Sequence, residues 1–234
     1  MIEALAGAAA GAGLAALGLG MFHPKLALFG PQLSHGPRAF PRVALSFDDG
    51  PHPDFTPRIA QAVEKAGGRA TFFSIGQNVE RHPEVARALV AAGHELGNHT
   101  FSHDTFHHLF SAPALTEDLR RCQSLLSTFA APPRWYRPAV GIRNPPVHAA
   151  ARALGLQVVM WSAAARDGAW ALDEARARKM AAQAQAGDIL VLHDGVRGDQ
   201  QQVREATVRW LPALLEGLRD RGLQPVTVSS LMAG

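Results

Sequence analysis

Short apolar runs alternate with longer, helically periodic stretches along most of this chain. Residues 43–47 are apolar apart from Ser46 and run into Asp48-Asp49-Gly50-Pro51, the pattern of a strand entering a tight loop. Thr56-Pro57 opens a helical pattern that lasts to residue 66, with Thr56 suited to the N-cap and Pro57 to the first turn. Gly67-Gly68 ends it, because glycine enters the left-handed conformation that closes a helix at little cost. The rhythm then repeats. Strand patterns at 70–74, 94–99, 135–138, 157–161, 188–193 and 224–228 alternate with helical patterns at 83–92, 115–130, 146–154, 173–186 and 201–221. Such alternation predicts parallel strands joined by helices that cover the sheet. About seven strands fit an incomplete or distorted (β/α) barrel better than an open sheet.

The first residues depart from this plan. Residues 4–22 form 19 consecutive positions without a charge, about the length needed to span a bilayer. Eight of them are Ala and five are Gly, so the run is only weakly hydrophobic, and Gly7 and Gly11 have the small-xxx-small spacing of packed membrane helices. Residues 1–23 are therefore read as a hydrophobic N-terminal helix, a membrane anchor or signal. Residues 24–41, rich in Pro and Gly, are read as a linker, and 42–232 as one domain. No basic residue precedes the uncharged run. Lys25, Arg38 and Arg42 follow it, an order that by the positive-inside rule favours a cytoplasmic domain.

Composition narrows the classes. A hydrophobic share of 47% with 18% charged residues describes a folded globular chain. The formal charge of +3 comes without any Lys/Arg block, which argues against a nucleic-acid partner. The single cysteine, Cys122, rules out an internal disulfide and a cysteine-based metal site. It lies in an apolar periodic run and is expected to be a small buried hydrophobe.

The polar residues with chemistry fall at strand ends. In a barrel of parallel strands that is where active sites assemble. Asp48 and Asp49 end the first strand, His99 the third, Arg137 the fourth and His193 the sixth. His99 and His103 are four apart, a spacing that on a helical turn puts both rings on one face. Adding a carboxylate gives the two-His, one-carboxylate shell of a catalytic divalent metal such as zinc. Neighbouring residues at a strand end point in different directions, so one aspartate can ligate while the other approaches a water. His52, His94, His107 and His108 are expected in turn or supporting roles. Trp135 and Trp170 are candidates to stack on a bound ligand, with core packing the expectation for Trp161.

Four ordered motifs carry a resemblance. They are Leu45-Ser46-Phe47-Asp48-Asp49-Gly50-Pro51, His99-Thr100-Phe101-Ser102-His103, Tyr136-Arg137-Pro138 and Asp188-Ile189-Leu190-Val191-Leu192-His193-Asp194-Gly195. Together they resemble the polysaccharide deacetylases (carbohydrate esterase family 4, the NodB-homology domain) over about residues 40–232. The resemblance implies a distorted (β/α)7 barrel. It implies Asp49, His99 and His103 as metal ligands, Asp48 as general base, Arg137 as its partner and His193 as general acid. Val140 stands where a backbone N–H helps form an oxyanion hole, and Val191 where an apolar side chain lies beside the acetyl methyl. One motif departs: Ala164 replaces a first aspartate, Asp167 matches a second that orients the acid, and Gly168 follows where the family has Trp. The stretch around Arg143 also departs, and Arg143 is expected in a surface salt bridge.

The implied activity is metal-dependent hydrolysis of acetyl groups from an N-acetylated sugar polymer or glycolipid, in the bacterial cell envelope. That location sets the resemblance against the charge order around residues 4–22. Two alternatives stand beside it: an O-acetyl esterase acting on a glycan, and a glycan-binding member that has lost catalysis. Ala164 favours the last; the presence together of Asp48, Asp49, His99, His103, Arg137 and His193 opposes it.

Overall fold

The computed structural model describes residues 18, 20–196 and 201–233. The expected N-terminal hydrophobic helix falls mostly outside them. Among the described residues no helix is long and apolar enough to cross a membrane.

In chain order the strands are β1 (Gln32–Leu33), β2 (Arg42–Asp48), β3 (Thr71–Ser74), β4 (Glu95–Asn98), β5 (Trp135–Tyr136), β6 (Gln157–Val159), β7 (Ala163–Ala164), β8 (Ile189–His193) and β9 (Gln224–Val226). The helices are α1 (Phe55–Lys65), α2 (Gly76–Arg81), α3 (Pro83–Ala91), α4 (Thr105–Phe110), α5 (Ala112–Leu126), α6 (Pro145–Ala153), α7 (Glu174–Gln183), α8 (Gln201–Asp220) and α9 (Val228–Met232), with a 3-10 turn at Ala139–Gly141. All strand pairs are parallel, in the order β1-β6-β5-β4-β3-β2-β8-β7, with β9 also on β2. The result is a curled sheet with helices outside, consistent with the distorted (β/α)7 barrel. β1 forms within the residues read as a linker, and the helices at 76–81 and 105–110 have no counterpart in the periodicity.

The two-residue period of the strands sorts the interior from the helix-covered wall. In β2, Val43, Leu45 and Phe47 pack into the large cluster under the helices, with Leu190 and Leu192 of β8. Ala44 and Ile189 face the other way, with Phe73 and Val159. Ser46, Asp48, Val191 and His193 continue that inward set, and Asp48 lies directly opposite His193 in register. The fold thus carries the two residues to the same end of neighbouring strands.

Helix ends mostly follow the expected chemistry. Gly67 and Gly93 close α1 and α3 at φ 72° and 83°. Asp104, Ser111, Asn144 and Asp173 accept N-terminal N–H groups of α4 to α7. Thr56 is the exception: it lies inside α1 and makes no cap bond. Its hydroxyl donates instead to Asp194 Oδ2 at 2.5 Å and accepts the His52 N–H at 2.8 Å.

Candidate active site

Among the described residues five non-glycine positions have left-handed backbones: Asp49, Thr100, His103, Val140 and Arg166. Each such conformation costs on the order of 1–3 kcal/mol and persists only where its surroundings enforce it. Four of the five line one cavity of about 330 Å³ at the C-terminal ends of the strands, together with Asp48, His99, Val191 and His193.

The loop after β4 shows how the strain is held. Asn98 Oδ1 accepts the Thr100 N–H at 2.8 Å, and Thr100 Oγ1 accepts the His103 N–H at 2.9 Å. The Asp118 carboxylate, on α5, accepts the N–H groups of Phe101 and Ser102 at 3.0 and 3.2 Å. The histidines are thus brought together by a pinned loop, with φ 69° at Thr100 and 57° at His103, and not by the helical turn their spacing suggests. His99 Nδ1 lies 2.7 Å from the Arg137 carbonyl, which can only accept, so the ring donates there and leaves Nε2 for a ligand. Both Nε2 atoms, of His99 and of His103, lie 3.3 Å from Asp49 Oδ1. The three ligand atoms fall within 4.8 Å of one another, and all three residues are buried. Burial would raise the Asp49 pKa, but the His99 hydrogen bond and the surrounding imidazoles override it and hold the carboxylate ionised. This donor set fits a divalent cation, whose charge would hold the oxygen and the two nitrogens together.

Arg137 is wholly buried beneath this cluster. Its Nη1 donates to Asp48 Oδ1 at 2.7 Å and to Ser46 Oγ at 2.8 Å, and its Nη2 donates to the Met160 carbonyl at 3.1 Å. The guanidinium also lies 4.1 Å from the centroid of Phe73. Burial lowers the Arg137 pKa, and the Asp48 charge and hydrogen bond oppose that shift only in part. With Oδ1 engaged, Oδ2 is the Asp48 oxygen left to take a proton.

On the opposite wall, His193 Nδ1 donates to Asp167 Oδ1 at 2.8 Å, and its backbone N–H donates to Asp167 Oδ2 at 3.1 Å. Asp167 is fully buried and also accepts from Arg204 Nη1 at 3.0 Å and Thr207 Oγ1 at 2.9 Å. Burial lowers the His193 pKa, but the Asp167 hydrogen bond and charge, with Asp48 and Asp49 behind them, lift it to about 9. Ala164 sits at the cavity rim beside Val191, so the carboxylate missing there is not the one that holds His193. A Cβ on Gly168 would lie 2.8 Å from His193 Cε1, which explains a residue without a side chain after Asp167. Gly168→Ala should therefore displace the imidazole and lower amide turnover by about 10²-fold with an unchanged melting midpoint. An unaltered rate in that variant would show that the position of His193 is unimportant.

Val140 adopts φ 46° and ψ 19° in the 3-10 turn, an unusual conformation for a β-branched residue. The turn takes its hydrogen bonds from the Gly141 and Ile142 N–H groups, which leaves the Val140 N–H outside the ladder. His108 supports the turn: its Nε2 accepts the Ala139 N–H at 3.2 Å, and burial keeps the ring neutral, with a pKa of about 4.

Several residues lie elsewhere than the sequence suggests. Arg143 is buried and among the described residues makes no salt bridge; it holds the carbonyls of His23 and Leu26 at 2.7 and 3.0 Å, because the incoming chain lies across it. Trp161 lines the cavity, as does the exposed Trp170, whereas Trp135 is buried. Cys122 is buried and its thiol pKa is raised by desolvation. Arg204, Thr207 and Asp118 were missed, and Asp194 was read only as part of a motif. Arg204 and Thr207 share the buried stripe of α8 with Leu211, Leu214 and Leu218, so an arginine on an apolar helix face was the available signal. Asp194 is buried behind Gly50, and burial raises its pKa to about 7.

A curled parallel sheet with an Asp/His/His cluster between a carboxylate and a carboxylate-backed imidazole defines a metal-dependent hydrolase on a (β/α) barrel. Residues 35–159 match the family model for polysaccharide deacetylase. The peptidoglycan-N-acetylglucosamine deacetylase of Bacillus cereus is 34% identical over 192 residues, which cover 81% of this chain and 87% of that one. A chitooligosaccharide deacetylase of a Bradyrhizobium species is 34% identical over 189 residues, 78% of this chain and 86% of that one. The crystal structure of the peptidoglycan N-acetylglucosamine deacetylase Bc1960 superimposes with a TM-score of 0.75 at 27% identity, over 86% of this chain and 92% of that one. The chain belongs to the polysaccharide deacetylase family.

Proposed function

We propose that this protein is a metal-dependent N-deacetylase of a glycan containing N-acetylglucosamine, releasing acetate. The observation that carries this reading is the facing pair Asp48 and His193, in register on adjacent strands, with the Asp49–His99–His103 cluster beside them. The related Bacillus and Bradyrhizobium enzymes are named for peptidoglycan N-acetylglucosamine and for chitooligosaccharide.

An amide needs help at both ends of the reaction. Asp49, His99 and His103 would hold the cation, and the two imidazoles and one carboxylate suit zinc. When bound, such an ion lowers the pKa of a water and polarises the acetyl carbonyl. Asp48 Oδ2 takes the proton of the attacking water, while Arg137 keeps Oδ1 fixed. The Val140 N–H, outside the hydrogen bonds of the 3-10 turn and at the cavity wall, would donate to the oxygen that gains charge. Val191 offers an apolar wall to the acetyl methyl. His193, protonated through Asp167, gives its Nε2 proton to the departing amine.

Removing one imidazole tests the cluster. His99→Ala should lose tight zinc binding and turnover together, measured by metal analysis of the purified chain and by acetate release. Full metal occupancy with full turnover in that variant would refute the ligand assignment. The reading extends to location. The peptidoglycan for which the Bacillus cereus relative is named and the 19 uncharged residues at 4–22 support a catalytic domain tethered to a membrane outside the cytoplasm, against the basic residues that follow. An alkaline phosphatase fusion at the C-terminus that stays inactive would overturn that placement.

A further inference from the structure

Six large apolar side chains stand exposed around one short stretch of the fold. Phe22, Leu26, Leu28, Phe106, Phe110 and Val140 are each between 45% and 69% exposed. They come from three separate pieces of chain, and residues 140–144 join them. Arg143 donates to three carbonyls of the first piece: its backbone N–H binds the Met21 carbonyl at 3.1 Å, and its Nη1 binds the carbonyls of His23 and Leu26. The next residue, Asn144, donates from Nδ2 to the carbonyls of His108 and Leu109 at 2.8 and 3.4 Å. The segment carrying Phe22, Leu26 and Leu28 and the helix α4 carrying Phe106 and Phe110 are therefore fastened to consecutive residues. The two α4 rings lie 5.0 Å apart, one turn from each other. Val140 is three residues before Arg143, and it lines the mouth of the active-site cavity.

Scattered exposed apolar residues are ordinary, but six drawn from three fastened segments, one of which reaches the active-site cavity at Val140, mark a surface made to be covered. What covers it is indicated by the chain itself. The uncharged run of residues 4–22 ends at Phe22, on this face. Lys25, exposed between Phe22 and Leu26, has a stem long enough to keep its ammonium among headgroups while its neighbours enter the acyl boundary.

We propose that this face docks onto the surface of the lipid bilayer, with α4 and residues 22–28 inserted at the interface, so that the active-site cavity opens beside the membrane. The tether would then set the orientation of the domain as well as its location. This rests on the membrane-tether reading above, and the experiment separates the two. The full chain is mixed with vesicles of equal parts phosphatidylethanolamine and phosphatidylglycerol. Nitroxide labels are placed at Phe110→Cys, at Leu28→Cys and, as a control on α8, at Glu216→Cys; Cys122 is buried and does not react. The melting midpoint of each labelled chain is compared with that of the unlabelled one, so that only folded chains are scored. On vesicle binding, collision with oxygen should rise and collision with a water-soluble nickel chelate should fall at positions 110 and 28, but not at 216. A chain that co-sediments with vesicles while both positions stay as water-accessible as 216 overturns the docking and leaves the tether intact. A chain that does not co-sediment overturns both. Labels at 110 and 28 already shielded before vesicles are added would mean that the face is covered by this chain's own N-terminal residues or a second copy, which also overturns it.

Discussion

Replacing Asp48 by Asn is expected to lower glycan deacetylation by about two to four orders of magnitude while metal content stays unchanged. The side chain keeps its shape, and its carbonyl oxygen still accepts from Arg137 Nη1, now 2.7 Å from Oδ1. What is lost is the charge and the oxygen that takes a proton from water. Asp49→Asn should behave differently. Asp49 Oδ1 is the atom both imidazoles approach, so weakening it weakens metal retention first and turnover as a consequence. Metal analysis and acetate release on the same preparations separate the two roles. Equal metal loss in both variants would show that the base and the ligand cannot be assigned to separate residues.

His193→Ala carries the second large effect. The acid must be protonated when the tetrahedral intermediate collapses, so activity falls as pH rises through the His193 pKa. Asp167 lifts that pKa to about 9, and a cation bound in the neighbouring cluster would act in the opposite direction. The alkaline limb of the wild-type profile is therefore expected below pH 9. His193→Ala should flatten that limb and lower amide turnover by about 10²–10⁴-fold. An aryl acetate has a leaving group that needs no proton, so its hydrolysis should suffer far less in the same variant. Loss of both activities by the same factor, with metal retained, would make His193 a support for the site and not a proton donor.

Strand ends were legible in the sequence because apolar runs stop at polar residues, and Asp48, His99, Arg137 and His193 each follow such a run. Their grouping was legible because parallel strands share one C-terminal end. The loop geometry was not. Nothing in the spacing of His99 and His103 signals left-handed backbones at Thr100 and His103, which depend on Asn98 below and Asp118 from a helix that follows. Short helices such as α2 and α4 bury too few residues to leave a periodic trace. Arg204 was hidden for another reason. It lies on a helix face otherwise filled by Leu211, Leu214 and Leu218, and its partner Asp167 is distant in sequence. Only the folded chain shows that the two bury each other. Arg143 was misjudged as a surface residue because the chain it fastens, at His23 and Leu26, offers backbone carbonyls and no opposite charge.

If Asp49, His99 and His103 hold the cation, removal of an acetyl group from a glycan depends on it. The direct measurement is acetate release from an N-acetylglucosamine oligomer by chain stripped with chelator and titrated with zinc. Activity should be absent without metal and should rise to a plateau at one zinc per chain. Undiminished acetate release from metal-free protein, or a zinc-saturated chain that releases none, would contradict it.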